Sequence, residues 1–340
     1  LSAVALSPPA PVPLLRWGRA FVHPSFDLLV IGSLASLALA PVLLWSDSSA
    51  PAAFLERWLP VLVLLSNSAH FAASTVRLYA RPGALADSPW LTMGLPAAAL
   101  LAVTVAIAFA GVLGAPLQAL YLTWSPYHYA AQAYGLTLMY AYRSGCSFGD
   151  GERRWLRAAC LAPFLAAVIG GRLLGEAGLE VRAAVATALG WAAFALPVAL
   201  FVRRGLLGLP SLPLISMAVL LSNAVWLVAL NRAGVFAWAT IFHGLQYLAI
   251  VAIFHVRDQV KQPGNRHGSA WHAAAFYGAC LALGYLLFDV LPFAYVLAGF
   301  GVAESLLLVA AVINIHHFVV DAFIWRLRKD PNYAIVTDPA

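Results

Sequence analysis

The sequence predicts an all-α, polytopic integral membrane protein: a helical bundle of about ten transmembrane helices with both termini cytoplasmic. Three observations carry this. First, 62% of the 340 residues are hydrophobic, only 10% are charged, and the mean hydropathy is +0.84. A soluble domain is about 45–50% apolar and about 25% charged. Second, apolar runs long enough to cross roughly 30 Å of hydrocarbon recur along the chain. Third, the basic residues fall on one side of the predicted topology. The composition excludes a soluble enzyme, a disordered chain and a coiled coil.

The segments follow in order. Leu1 to Arg19 is rich in Pro at positions 9–13 and lacks the basic–apolar–small order of a signal peptide, so it reads as part of a cytoplasmic tail over 1–25. Spans are placed near 26–46, 58–79, 90–113, 117–142, 155–175, 183–202, 212–230, 235–256, 271–290 and 301–325. They form one transmembrane domain over 26–326, followed by a cytoplasmic tail over 327–340. The runs are continuous rather than alternating, which excludes a transmembrane barrel. The loops are too short for an inserted soluble domain.

Charge fixes the predicted orientation. One side takes 16 of the 20 basic residues, among them Arg77, Arg143, Arg204 and Arg257. The other takes Arg57, Arg172, Arg182 and Arg232. The positive-inside rule then puts both termini in the cytoplasm. The expected location is a bacterial inner (plasma) membrane. The pI near 9.4 reflects these scattered topology signals, so no nucleic-acid partner is expected. Three Cys without a CxxC exclude a disulfide scaffold and a Cys-based zinc module. Leu-Leu-Ser-Asn recurs at 64–67 and 220–223, a faint repeat in a Leu-rich chain. The segment 143–157 carries Gly and Arg but no P-loop pattern, and reads as an orienting cytoplasmic turn.

Nine His are present. His23, His255, His267 and His272 lie where they reach water. The other five, His70, His128, His243, His316 and His317, lie within even-numbered spans. Counted from the next cytoplasmic Arg, His70, His128, His243 and His316 sit at about 10, 22, 21 and 15 Å. Each span also carries polar company at helical spacing: Ser66, Asn67 and Ser74 around His70; Ser125 and Gln132 around His128; Thr240, Gln246 and Tyr247 around His243; Asn314 and Asp321 around His317. Such stripes are costly against lipid and are expected to face inward.

Imidazole suits iron, copper, zinc and haem iron. The five His are therefore the candidate metal ligands. Asp321 is expected to orient His317, and Gln132 and Gln246 to hold substrate or water beside Tyr247. No carboxylate lies at the depth of His70, His128 or His243, which speaks against a carboxylate-bridged di-iron centre. Tyr127, Tyr129 and Tyr134 flank His128 and read as packing and hydrogen-bonding groups.

Two groups of histidine-rich membrane oxidoreductases bear comparison. Membrane desaturases and hydroxylases use HxxxH and HxxHH boxes. Here only the pair His316–His317 is present. In general character the sequence resembles the carotene-cleaving oxygenases of the Brp/Blh type, all-helical membrane proteins whose scattered His are held to bind one iron. No continuous motif is shared, so no residue role is carried over. Haem-copper oxidases also hold a His pair in a helix, with different flanking residues.

The expected function is a membrane-embedded oxidoreductase, oxygenase- or desaturase-like, with histidine-ligated non-haem iron. Its partners would be membrane lipid, an apolar lipid, isoprenoid or quinone substrate, and an electron donor. Copper is a second choice of metal. The alternatives are a haem b electron-transfer protein and a transporter of protons, metal or solute with a His relay.

Overall fold

The protein is described here by a computed structural model covering residues 16–45, 50–171, 175 and 178–325. The predicted C-terminal tail, most of the predicted N-terminal tail, and the basic residues Arg172, Arg326, Arg328 and Lys329 lie outside the described residues. Among the described residues the chain is helical and has no strand.

Continuous apolar sequence leaves the backbone no polar partner but itself, and helices satisfy it locally. The helices are α1 (Pro24–Leu44), α2 (Arg57–Tyr79), α3 (Trp90–Ala108), α4 (Ala110–Arg143), α5 (Asp150–Gly170), α6 (Leu179–Leu206), α7 (Leu214–Val228), α8 (Val235–Val260), α9 (Ser269–Leu297) and α10 (Val302–Ile324). Seven of them are long and apolar enough to cross a membrane: α1, α2, α3, α6, α8, α9 and α10. The other three occupy predicted places but differ in composition or length. In α4 the prolines, tyrosines, Gln132 and His128 dilute the apolar character. The first two turns of α5 carry Asp150, Glu152, Arg153, Arg154 and Arg157. α7 has only 15 residues.

One boundary moves. The predicted span 90–113 ends early, because Phe109 adopts φ −114°, ψ 34° and breaks the helix. α4 restarts at Ala110 and runs 34 residues, about 51 Å at 1.5 Å per residue. A helix of that length exceeds the hydrocarbon core.

Basic side chains tie one end of the bundle together. Arg16 donates to Ser144 O at 3.1 Å and Ser211 O at 2.8 Å. Arg204, fully buried, reaches Pro210 O, Ser147 O and Glu152. Arg143 and Arg257 donate to Ala20 O and Phe21 O and lie over the Phe21 ring. Buried Asp27 accepts from the amides of Phe21, Val22 and His23 and from the Tyr140 hydroxyl at 2.7 Å. These bonds dock the segment before α1 onto the ends of α4 and α8. At the far ends of α1 and α7, Arg232 donates to Leu44 O. Cys146, Cys160 and Cys280 are buried free thiols.

The core passes through α2. Residues Leu64–Ser68 form a π-helical turn just before His70. The helices α8 and α9 close on this turn through glycines. A Cβ on Gly244 would meet Ser66 backbone at 3.2 Å, and one on Gly284 would meet Ser68 backbone at 2.7 Å. Small residues at such crossings let backbones approach, which is the main source of packing in lipid. Gly284→Ala should therefore force α9 off α2 and lower the melting temperature, at a cost of about 1–3 kcal/mol typical of overpacking. Gly278→Ala, on the same helix with open space around it, should melt as wild type. Thermal unfolding of the two variants in detergent checks this.

Candidate metal centre

Four of the five intramembrane His converge. His70 comes from α2, His128 from α4, His243 from α8 and His317 from α10. Ring centroids lie 4.8 Å apart for His70–His243, 4.5 Å for His70–His317, 5.0 Å for His128–His243 and 5.4 Å for His128–His317. Ligand atoms of His70, His128 and His243 all lie within 4.8 Å of one another, and so do those of His128, His317 and Asp321. His128 belongs to both groups. His316, one residue round the helix from His317, joins neither group.

Imidazole nitrogens buried in an apolar bundle require partners. Yet the Nε2 atoms of His70, His128, His243 and His317 are buried and accept or donate no hydrogen bond. Both nitrogens of His70 are in this state. Among the described residues the helices bring four polar atoms together without a hydrogen bond to any of them, and only Asp321 Oδ2 approaches, beside His317 and His128. A cation held by His70, His128 and His243, or by His128, His317 and Asp321, satisfies the nitrogens of its own group, so each donor set fits a metal ion.

The surroundings fix the rings. Ser74 Oγ lies 2.9 Å from His317 Nδ1, which leaves Nε2 to face the cluster. Asp321 therefore does not hold the far side of His317, as its one-turn spacing suggests. Its Oδ2 stands 3.4 Å from His317 Nε2 and 3.9 Å from His128 Nε2, on the same side as the ligating atoms. Its Oδ1 accepts from the Tyr247 hydroxyl, which accepts in turn from Trp325 Nε1 at 3.2 Å. Asp321 thus has one oxygen anchored and one presented to the cluster. Tyr247 stacks edgewise on His70 at 4.5 Å, and Tyr129 covers His243 at 4.2 Å while bonding Thr240 at 2.8 Å.

The two glutamines part company. Gln246 donates to Ile31 O at 2.9 Å, a link between α8 and α1. Gln132 reaches His243 O at 3.4 Å, and its buried Oε1 has no partner. Gln132 also lines a cavity of about 410 Å³ that touches His128 and Asp321. On α4 the lining residues run from Trp124 through Tyr127, Ala131 and Gly135 to Met139. Fifteen residues of helix make this wall about 22 Å long. Phe318 and Trp325 face it from α10 and its C-terminal end. The aromatic and apolar lining was not singled out by sequence, since its residues are ordinary for a membrane helix. The only signal is their shared face, at spacings of three and four.

The side chains of His70, His243 and His317 are buried, whereas His128 is 14% exposed. The cluster is thus closed behind and open toward the cavity at His128 and Asp321. The chain matches no known protein family, no curated protein and no solved structure.

Ser74 holds His317 and also hydrogen-bonds Tyr247 and Asp321, so its loss loosens the ring and the carboxylate together. Ser74→Ala should weaken metal binding by about 10–100-fold, the usual effect of removing the hydrogen bond behind a ligating His. A metal titration of the stripped protein monitors this. Equal affinity in the variant would mean that Ser74 does not orient a ligand.

Proposed function

We propose that the protein is a membrane-embedded, metal-dependent oxidoreductase of the oxygenase or desaturase type, acting on an apolar substrate. The observation that carries this reading is the set of four unpartnered imidazole nitrogens, open at the His128–Asp321 edge to a long apolar cavity. In this reading all ten helices cross the membrane, and the Arg-tied end of the bundle is cytoplasmic with both termini. The location is an inner (plasma) membrane of bacterial type.

One or two ions are held: His70, His128 and His243 form one donor set, and His128, His317 and Asp321 a second that shares His128. Non-haem iron is the preferred metal, because imidazole and carboxylate together suit iron with open positions. When bound, iron supplies the capacity to activate O2 for attack on a C–H or C=C group. Copper is the second choice. Haem b fits less well. A macrocycle needs open space on every side of the iron, and here Phe71, Tyr129, Tyr247 and the neighbouring rings occupy it.

The protein's own groups do the rest. The Ser74 contact holds His317 with Nε2 forward. Tyr247 anchors Asp321 at one oxygen. Trp124 and Phe318 lie parallel at one end of the cavity, with ring centroids 6.1 Å apart. The cavity is narrow and lined by rings, which favours an extended apolar chain over a compact solute. A lipid, an isoprenoid or a quinone tail enters it from the bilayer and passes His128. The aromatic lining excludes water from the reacting carbon. Where the reaction needs reducing equivalents, an external electron donor supplies them.

Metal analysis tests the core of this reading. Purified wild-type protein should carry iron at about one or two ions per chain, and His128→Ala should lose most of it. Absence of metal from wild type, or an unchanged content in the variant, overturns the proposal. A visible spectrum separates the haem alternative by its intense Soret band.

The cavity is tested separately. A Cβ on Gly135 meets nothing within 4 Å, so a larger side chain there enters the cavity without clashing. Gly135→Leu should keep its metal yet lower affinity for an apolar chain by about tenfold or more, since a blocked pocket forfeits its apolar contacts. Fluorescent fatty-acid binding, read beside metal content, checks this. Unchanged binding would move the substrate elsewhere.

A further inference from the structure

A second groove lies outside the metal centre, where the end of α4 meets the start of α5. Its volume is about 520 Å³, and its walls are Tyr134, Asp150, Arg153, Arg154 and Arg157. Arg153 is ion-paired to Asp150. The neighbouring acid, Glu152, is taken by Arg204 and Arg203. Arg154 and Arg157 are exposed, and among the described residues neither has a carboxylate partner. The groove therefore carries three guanidinium groups against one acid that is already engaged.

Depth decides what can fill it. Arg157 lies seven residues into α5, about 10 Å below its start. Tyr134 lies nine residues before the end of α4, about 14 Å below it. Both helices are packed side by side here, so the groove runs from the helix ends down the outer wall of the bundle. A guanidinium at such a level lies near the headgroups and snorkels toward a counter-charge. Among the described residues Arg154 and Arg157 have none. Arg forks match phosphate oxygens in paired hydrogen bonds, and the Tyr134 hydroxyl adds a donor deeper in the groove. Nothing in the groove serves a choline or ammonium group, because its one carboxylate is already paired.

We propose that this groove binds the headgroup phosphate of an anionic phospholipid, gripped by Arg154 and Arg157. The 143–157 segment lacks a phosphate-binding backbone loop. The anion is held by side chains projecting from α5 instead. The acyl chains lie along the outer faces of α4 and α5. The site does not depend on the metal-centre reading, and either can fail alone.

Native mass spectrometry of the full chain released from detergent tests it. The probes are phosphatidylglycerol and phosphatidylcholine with the same acyl chains. Wild type should retain phosphatidylglycerol about 30-fold more strongly than phosphatidylcholine, since each of the two basic residues near the anionic headgroup is worth roughly 1 kcal/mol. Arg154→Gln/Arg157→Gln should lose that preference and keep the weak binding of phosphatidylcholine. Equal retention of the two lipids by wild type, or an undiminished preference in the double variant, overturns the proposal. Displacement of the lipid by millimolar inorganic phosphate also overturns it, by marking a soluble-anion site. If the Gln variant melts early, Arg154→Lys/Arg157→Lys replaces it. That variant keeps both charges, so it should keep most of the lipid preference, and its loss of all preference overturns the charge argument.

Discussion

Four imidazole nitrogens meet within a helix bundle without a hydrogen-bond partner among the described residues, and the surrounding structure is arranged around that fact. In water an orphaned nitrogen costs little. In an apolar interior it costs several kcal/mol unless something binds it. The fold does not avoid the cost by turning the rings outward. It fixes them. Ser74 holds His317, Tyr129 covers His243, and Tyr247 packs on His70. A bundle that only needed stability would place apolar side chains at these positions. The closed back of the cluster and its open front at His128 and Asp321 are the features on which the proposed metal site rests.

Close backbone packing makes that preparation possible. His70 follows a π-helical turn, and the turn is gripped by α8 and α9 at Gly244 and Gly284. π-helical insertions are frequent at functional sites because they shift the register of the side chains that follow. Here the shift falls immediately before the only cluster His on α2. α8 brings Gly244 and His243 as neighbours in sequence, so the same residue pair sets both the distance between the helices and the position of a ring. On α10, His317 and Asp321 are one turn apart and share the face toward the His cluster.

Much of this was legible in the sequence, for physical reasons that differ by residue. The hydropathy pattern anticipated a helix at each of the ten places, and seven of these helices are long and apolar enough to cross a membrane. Their ends were less legible, above all the break at Phe109, where no Pro or charge marks the end of α3. The convergence of His70, His128, His243 and His317 could be anticipated from depth and polar spacing, since in a membrane both are constrained. His316 could not be separated from His317 that way, because neighbours on a helix share a depth and differ only in direction. The direction of Asp321 was also hidden. Spacing put it one turn from His317 but not on which nitrogen's side, and Ser74 from another helix occupies the far side instead. Gln246 shared a face with His243 yet bonds the backbone of α1, a partner that only the packing of α1 reveals.

The arrangement of Asp321 explains why the cluster faces one way. A carboxylate in a dry bundle needs donors for both oxygens. Tyr247 and Trp325 form a chain that satisfies Oδ1 from the side nearest the helix end. Oδ2 is left toward His317 and His128, which have no proton donor committed to it in return. Removing Tyr247 would free the carboxylate to rotate and would open the back of the site beside His70 as well. One hydroxyl thus holds two boundaries: it points the acid inward and it closes the ring cluster against α10. The cavity reaches the same hydroxyl from outside. An apolar chain lying along Trp124 to Met139 consequently meets the cluster at one edge only, near His128. That meeting point is four residues, about 6 Å, from the Trp124 end and about 16 Å from the other. In the proposed function, attack would fall close to one end of the bound chain rather than at the centre of the cavity.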